Sequence, residues 1–227
     1  MDPLTLAIPT GRLFADTCAL LQRVGWLAAV PTERTLVLPA SDGRRVLIAK
    51  PADILTYVEQ GAADAGIVGK DMLLEQERDV YELVDLGFGS CRGVVALPEA
   101  QQERWRQPGT LLRIATKYPR LTTRFFERER RPVEIVQLHG SVELAPRVGL
   151  ADGIVDLVMT GQTLRDNLLA EVAEVFQSSA RLVVNRVSLR TKAAVVQPLV
   201  EQTKRTATIR APVTAAPTTR PTAEGDR

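Results

Sequence analysis

The chain has 227 residues, 45% hydrophobic and 25% charged, with 29 Lys and Arg against 27 Asp and Glu and a net charge of +2. That length suggests one large domain or two small lobes, with core enough to stand without covalent staples. So even a charge balance argues against a surface built to neutralise nucleic-acid phosphates, and two cysteines, Cys18 and Cys91, with no CxxC and the single His139, exclude an obvious zinc site.

In chain order, short apolar runs alternate with helix-like stretches. LTLAI (4–8) reads as a buried strand, followed by Pro9, Thr10 and Gly11 and then a helical pattern carried by Leu13, Phe14, Thr17, Leu20, Leu21 and Val24. RVLIAK is a second strand; Pro51 opens the next helix and Gly61 closes it. AGIVG, YELVDLGFG and RGVVALP follow as strands, and 99–109 is polar and loop-like with room for one helical turn. The alternation then restarts: LLRIAT a strand, 119–131 a helix, VEIVQL a strand, SVELAPRVGLA helical despite Pro146, GIVDLVM a strand, and a helix starting near Thr163. ARLVVNR is a further strand and 188–205 is helical.

Strands separated by helices predict βαβ units and a mostly parallel sheet. The restart predicts two α/β lobes with a cleft between them. Residues 1–91 with 182–205 are assigned to the first lobe and 92–181 to the second. The Thr, Ala and Pro-rich stretch 206–227 has no period and reads as a disordered tail. No apolar run approaches the ~18 residues of a membrane span, and the N-terminus lacks the regions of a signal peptide, so a cytoplasmic protein with reduced thiols is expected.

Familiar motifs fail on spacing. GIVGKD is not a P-loop, since Asp64 stands where the first Gly belongs and Asp71 follows Lys70 where Ser or Thr is required. GFGSCRG has the wrong glycine spacing for GxGxxG, and no GxSxG elbow exists. His139, in LHGS, reads as a structural or solvated histidine.

The stretch 143–164, ELAPRVGLADGIVDLVMTGQTL, is the informative one. Three acids, Glu143, Asp152 and Asp156, precede a Thr-Gly-Gln-Thr turn. A strand ending at Met159, a turn at Thr160 and Gly161 and a helix start near Thr163 would point unpaired N–H groups at a ligand. Gly161 allows close approach, Thr160 and Thr163 add hydroxyls, and Arg165 adds charge. Together these suit a phosphate monoester. Asp156 would then bind sugar hydroxyls, or act with Glu143 near a magnesium-bound pyrophosphate. The plainer reading has Thr160 capping a helix and Asp156 paired with an internal Arg; spacing alone leaves both open.

The series Glu143, Gly149, Ala151, Ile154, Asp156, Leu157 and Thr160-Gly161-Gln162-Thr163-Leu164 resembles the signature of the ATP phosphoribosyltransferase family, as do IPTGRL, DAGIVGKD, LGFGSCR and RIATKYP. The resemblance covers roughly residues 4–205. It implies two lobes like those of periplasmic binding proteins, and the first step of histidine biosynthesis, joining N1 of ATP to phosphoribosyl pyrophosphate with Mg2+ as cofactor. The chain is too short for the regulatory domain of the family's long form. The resemblance is therefore to the short form, which works with a separate subunit resembling histidyl-tRNA synthetase, as a dimer or hetero-octamer, with no nucleic acid or membrane partner.

It also implies roles. Thr160, Gly161, Gln162, Thr163 and Leu164 would cradle the 5-phosphate, and Glu143 and Asp156 would lie near the ribose and pyrophosphate as the catalytic carboxylates. Arg12 would contact substrate phosphate or nucleotide, a role favoured because a cation at a helix start is otherwise disfavoured. Lys50, Lys70, Asp71 and Arg92 are further ATP- or phosphate-binding candidates, each of which also reads as a solvated charge. Arg113 and Lys117 flank a strand end. The family commonly carries Lys before Gly-Arg, where this chain has Thr10, so that charge would come from elsewhere, Lys50 for instance. The rival reading is a two-lobed binding protein without catalysis.

Overall fold

Strand β1 (Thr5–Pro9) is buried at every position, as a parallel strand covered on both faces must be. It lies in the first of two lobes of a computed structural model that describes residues 3–40 and 43–210. The first lobe continues with α1 (Phe14–Arg23), β2 (Val37–Pro39), β3 (Arg45–Ala49), α2 (Pro51–Glu59), β4 (Ala65–Gly69), α3 (Lys70–Gln76) and β5 (Val80–Asp85). The second holds β6 (Cys91–Pro98), a 3-10 segment Glu99–Arg106, β7 (Leu112–Thr116), α4 (Pro119–Arg128), β8 (Val133–Gln137), α5 (Leu144–Arg147), β9 (Gly153–Val158), α6 (Gln162–Asp166) and β10 (Leu169–Ser178). The chain then returns to the first sheet with β11 (Ala180–Asn185) and adds α7 (Arg186–Thr191) and α8 (Ala193–Arg210).

The first sheet runs β2-β3-β1-β4-β11-β5 and the second β10-β6-β9-β7-β8. β1 pairs parallel with β3 and β4, and β7 parallel with β8 and β9. β11 is antiparallel to β4 and β5, and β6 antiparallel to β9 and β10. Alternation along each strand sorts the core. Leu6 and Ile8 of β1 pack with Phe14, Leu21 and Leu199, while Ala7 faces Ile54, Leu55 and Val58 of α2. In the second lobe Val94, Ala96 and Ile154 form one face, and Val95, Leu97, Ile114, Phe125 and Phe126 the other.

The two-lobed α/β architecture expected from the sequence is present, but the sheets are mixed rather than mostly parallel, with antiparallel pairings at β2/β3, β4/β11, β5/β11, β6/β9 and β6/β10. The crossings between sheets occupy 86–90 and Ser179, so Cys91 belongs to the second sheet and Ala180 and Arg181 to the first. Each of these residues lies on the other side of the boundary drawn from the sequence.

Two further elements differ. The helix expected from Thr163 ends at Asp166, and a ten-residue strand, β10, follows. β10 carries register shifts at Glu171/Ala173 and Glu174/Phe176. Each inserts a residue, so the apolar positions Leu169, Val172, Ala173 and Phe176 fall at helical spacing in an extended strand. The helix expected over SVELAPRVGLA shrinks to α5, after which Gly149 takes φ 73°. α8 runs through Arg210, into the stretch read as a tail; residues 211–227 lie outside the described residues. Among the described residues no helix is long and apolar enough to cross a membrane.

Asp152, one of the three acids in the informative stretch, has a structural role. Its carboxylate accepts the Arg113 N–H at 2.8 Å and Arg104 Nη1 at 3.0 Å, with Arg113 Nη2 at 3.5 Å. Burial pushes its pKa up, but the backbone N–H and the two guanidinium groups outweigh burial, and the net shift is downward. A lowered carboxylate pKa contributes stability above the ordinary Asp range and loses it as pH falls through the lowered value. Asp152→Ala should therefore cost about 1–3 kcal/mol at pH 7, or about 2–4 °C of Tm per kcal/mol. Thermal melts between pH 7 and 3 check this: the gap from wild type should close toward the acid end, and a constant gap would refute the assignment.

Candidate active site

The carboxyl ends of the parallel strands of both lobes face one cleft, the expected place for a ligand in an open α/β sheet. Two cavities occupy it. The larger, about 570 Å3, is walled by Thr10, Arg12 and Lys50 after β1 and β3, by Asp71 and Glu75 of α3, and by Lys117, Tyr118, Gln137 and His139 after β7 and at the end of β8. The smaller, about 310 Å3, is walled by Arg12, Glu143, Asp156 and the loop Thr160 to Leu164. Both are within the range that holds small ligands. Arg12 and Leu157 line both, so the two chambers adjoin at these residues, of which Arg12 carries the charge.

The loop between β9 and α6 is shaped by Gly161, whose φ of 76° is in the left-handed region that only glycine enters at no steric cost. It is braced from within. Arg165 Nη1 donates to the Thr160 carbonyl at 3.2 Å, Arg165 Nη2 to Gln162 Oε1 at 2.9 Å, and Gln162 Nε2 to Asp166 Oδ1 at 2.6 Å. Leu164 is buried and anchors the short helix, while Thr160, Gln162 and Thr163 stay exposed toward the cavity side.

Asp156 lies in β9, its carboxylate 3.5 Å from Lys117 Nζ across the sheet. Burial pushes its pKa up; Lys117 and the Leu157 N–H pull it down, Glu143 pushes it up again, and the net shift is upward. Glu143 is half-buried at the foot of α5 and faces the same cavity. Among the described residues no group of three His, Cys, Asp or Glu side chains is placed to hold a metal ion.

The family model described as HisG: ATP phosphoribosyltransferase matches residues 50–205. The chain belongs to the ATP phosphoribosyltransferase family. It is 52% identical over 216 residues to the ATP phosphoribosyltransferase of Moorella thermoacetica, covering 90% of this chain and 93% of that one. It is 47% identical over 208 residues to that of Symbiobacterium thermophilum, covering 89% and 94%. Among solved structures, the ATP phosphoribosyl transferase (HisG:HisZ) complex from Thermotoga maritima contains a chain that superposes with a TM-score of 0.77 at 33% identity, covering 91% of this chain and 99% of that one. The periplasmic aliphatic sulphonate binding protein SsuA from Escherichia coli shares the fold at 11% identity and TM-score 0.59, covering 92% of this chain and 70% of that one. The chain is thus an enzyme of the pentosyl-transferring kind.

Of the residues singled out in the sequence, the fold brings Arg12, Lys50, Asp71, Glu143, Asp156 and the loop Thr160 to Leu164 to the two cavities. Lys70 and Arg92 stand apart from both. Lys70 is paired with Glu82 of β5, and the Arg92 guanidinium is gripped by Glu171 of β10. Arg92 is held by the adjacent strand β10, and Lys70, the first residue of α3, by β5, which lies two strands from β4 in the first sheet. Arg113 is likewise engaged with Asp152. Tyr118, Gln137, Glu75 and His139 line the larger cavity without having been singled out as ligands. The one available signal was position, since Tyr118, Gln137 and His139 sit at or just past the carboxyl ends of β7 and β8.

A raised carboxylate pKa means that ionised Asp156 costs folding stability at neutral pH, a cost that disappears as pH falls through the raised value. Asp156→Asn should abolish turnover while melting at the same temperature as wild type or a few degrees higher at pH 7. That advantage should narrow toward pH 4. A lower Tm for the variant at pH 7 would overturn the account.

Proposed function

We propose that the protein transfers the phosphoribosyl group of phosphoribosyl pyrophosphate to N1 of ATP, giving N1-(5-phosphoribosyl)-ATP and pyrophosphate, the first step of histidine biosynthesis. The observation that carries the reading is the joining of two chambers at Arg12. The smaller has the braced glycine loop and two carboxylates, suited to a phosphorylated sugar. The larger has the volume and cationic wall for a nucleotide. Family membership supports the pairing.

In this reading the Thr160 to Leu164 loop holds the 5-phosphate through its hydroxyls and backbone N–H groups. The N1 lone pair attacks C1 as the C1–O bond to pyrophosphate breaks, and the bond electrons leave on the pyrophosphate oxygen. The sugar passes through a cationic, oxocarbenium-like state. Asp156, with Glu143 beside it, stabilises that charge and orients the ribose hydroxyls in a water-poor site. Arg12 and Lys50 face the departing negative charge, and Lys50 supplies the cation that the family commonly places at the position of Thr10; both residues line the larger cavity. Lys117, 3.5 Å from Asp156, favours its ionised form against the upward push of burial.

Magnesium fits this donor set as a passenger of the pyrophosphate. Mg2+ keeps several waters and binds through one or two carboxylates plus substrate phosphates, and Glu143 with Asp156 offers that number. Bound there, it would neutralise leaving-group charge. We assign the chain to the short form, working in the cytoplasm with a histidyl-tRNA-synthetase-like regulatory subunit in a dimer or hetero-octamer. This is in line with the HisG:HisZ complex that its relative's structure holds.

A turnover assay with ATP, phosphoribosyl pyrophosphate and Mg2+, following the adduct by absorbance with and without the subunit, tests the reading. Adduct in either arm supports it, and absence in both refutes it. Arg12→Ala should lower kcat/KM about 10- to 100-fold, the worth of one or more charged hydrogen bonds. An unchanged value would remove Arg12 from the site.

A further inference from the structure

Arg12 is the charged residue common to both chambers, which Leu157 also lines. Its guanidinium donates to the Gly89 carbonyl, on the first chain crossing, and lies 3.7 Å from Asp71 Oδ1. Asp71 is 4% exposed and belongs to α3 of the first lobe. The rest of its partners come from the second lobe. Tyr118 Oη donates to Oδ2 at 3.1 Å, and Ser178 Oγ donates to Oδ1 at 2.5 Å while accepting the Asp71 N–H at 3.0 Å. Both oxygens of this carboxylate already have partners inside the protein, and its charge would repel a substrate phosphate.

The surrounding sequence is cut to make room for this cluster. A Cβ on Gly69 would overlap the Asp71 carboxylate. A Cβ on Gly89 would overlap Leu13 and press on Arg12 Nη1 from 3.3 Å, and the residue holds φ at 63°. A Cβ on Gly93 would overlap the Phe176 ring, which takes Tyr118 edge-on at 5.4 Å. Three glycines from three segments thus serve one arrangement.

We propose that Asp71 is a positioning residue and not a substrate ligand: with Tyr118 and Ser178 of the second lobe it sets Arg12 at the junction of the two cavities, so that Arg12 is in place when the lobes stand in this relation. The inference rests on the reading of Arg12 as the cation that meets substrate phosphate. Tyr118 acts through Asp71 and then Arg12, across the lobe boundary. A separate contact keeps the lobes together without it, since Glu75 of α3 accepts the N–H groups of Arg120 and Leu121 of α4 at 2.9 Å each. Loss of the Tyr118 hydroxyl therefore leaves the lobe relation standing and disturbs Arg12.

A double-mutant cycle on the full chain tests this, with Tyr118→Phe, Arg12→Ala and the pair, and with Ser178→Ala as a second probe of the same carboxylate. The readouts are calorimetric Kd for phosphoribosyl pyrophosphate with Mg2+, and kcat/KM in the presence of the regulatory subunit. Tyr118→Phe should weaken binding about tenfold when Arg12 is present and less than twofold when it is absent, with circular dichroism unchanged. Equal losses in both backgrounds, or no loss in the first, overturn the coupling. Binding without turnover overturns the reaction assignment alone, because the cycle is still read from Kd. Absence of binding by the unaltered chain overturns both.

Discussion

The structure depends on two chain crossings, the first of which is hydrogen-bonded to Ala180, the residue that follows the second. Residues 86–90 carry the chain out of the first sheet and Ser179 brings it back. The Leu86 N–H donates to the Ala180 carbonyl and the Ala180 N–H to the Phe88 carbonyl, both at 2.9 Å. The Lys70 N–H, at the start of α3, reaches the Ser179 carbonyl at 2.9 Å. Short crossings bonded in this way leave the lobes few ways to sit. They also bring α3, β10 and the end of β7 close enough for Asp71 to meet Ser178 and Tyr118. A cleft whose two walls belong to different lobes is built on those few backbone bonds.

Charge is then distributed by what surrounds it. Asp152 and Asp156 lie four positions apart in sequence and are pushed in opposite directions, Asp152 down and Asp156 up. Asp152 faces a backbone N–H and two arginines near the lobe surface, where its charge holds the start of β7. Asp156 faces a cavity with one lysine for company, and that poorly compensated position is what a sugar cation would exploit. In the proposed reading, function occupies the less stable of two otherwise similar carboxylates.

Legibility in the sequence followed the same division. Strand and helix alternation, the lobe count and the loop Thr160 to Leu164 could be read directly, since hydrophobic period and a glycine turn are local properties. β10 could not be, because its two bulges give a strand the apolar spacing of a helix. Lys70 and Arg92 looked equal to Lys50 as ligands until the sheet order gave Arg92 a partner on the adjacent strand, Glu171, and Lys70 one two strands from β4, Glu82. Asp71 and Tyr118 are separated by 47 positions; no local pattern relates them.

From the sequence came two α/β lobes, a family resemblance carried by residues 143–164 and the position of the Thr160 to Leu164 turn, because each is encoded in residues close together along the chain. Only the tertiary structure decided which charges face the cleft, that both chambers meet at Arg12, and that Asp71 serves Arg12 and the opposite lobe. These are relations between segments far apart in sequence, and they come into being when the crossings set one sheet against the other.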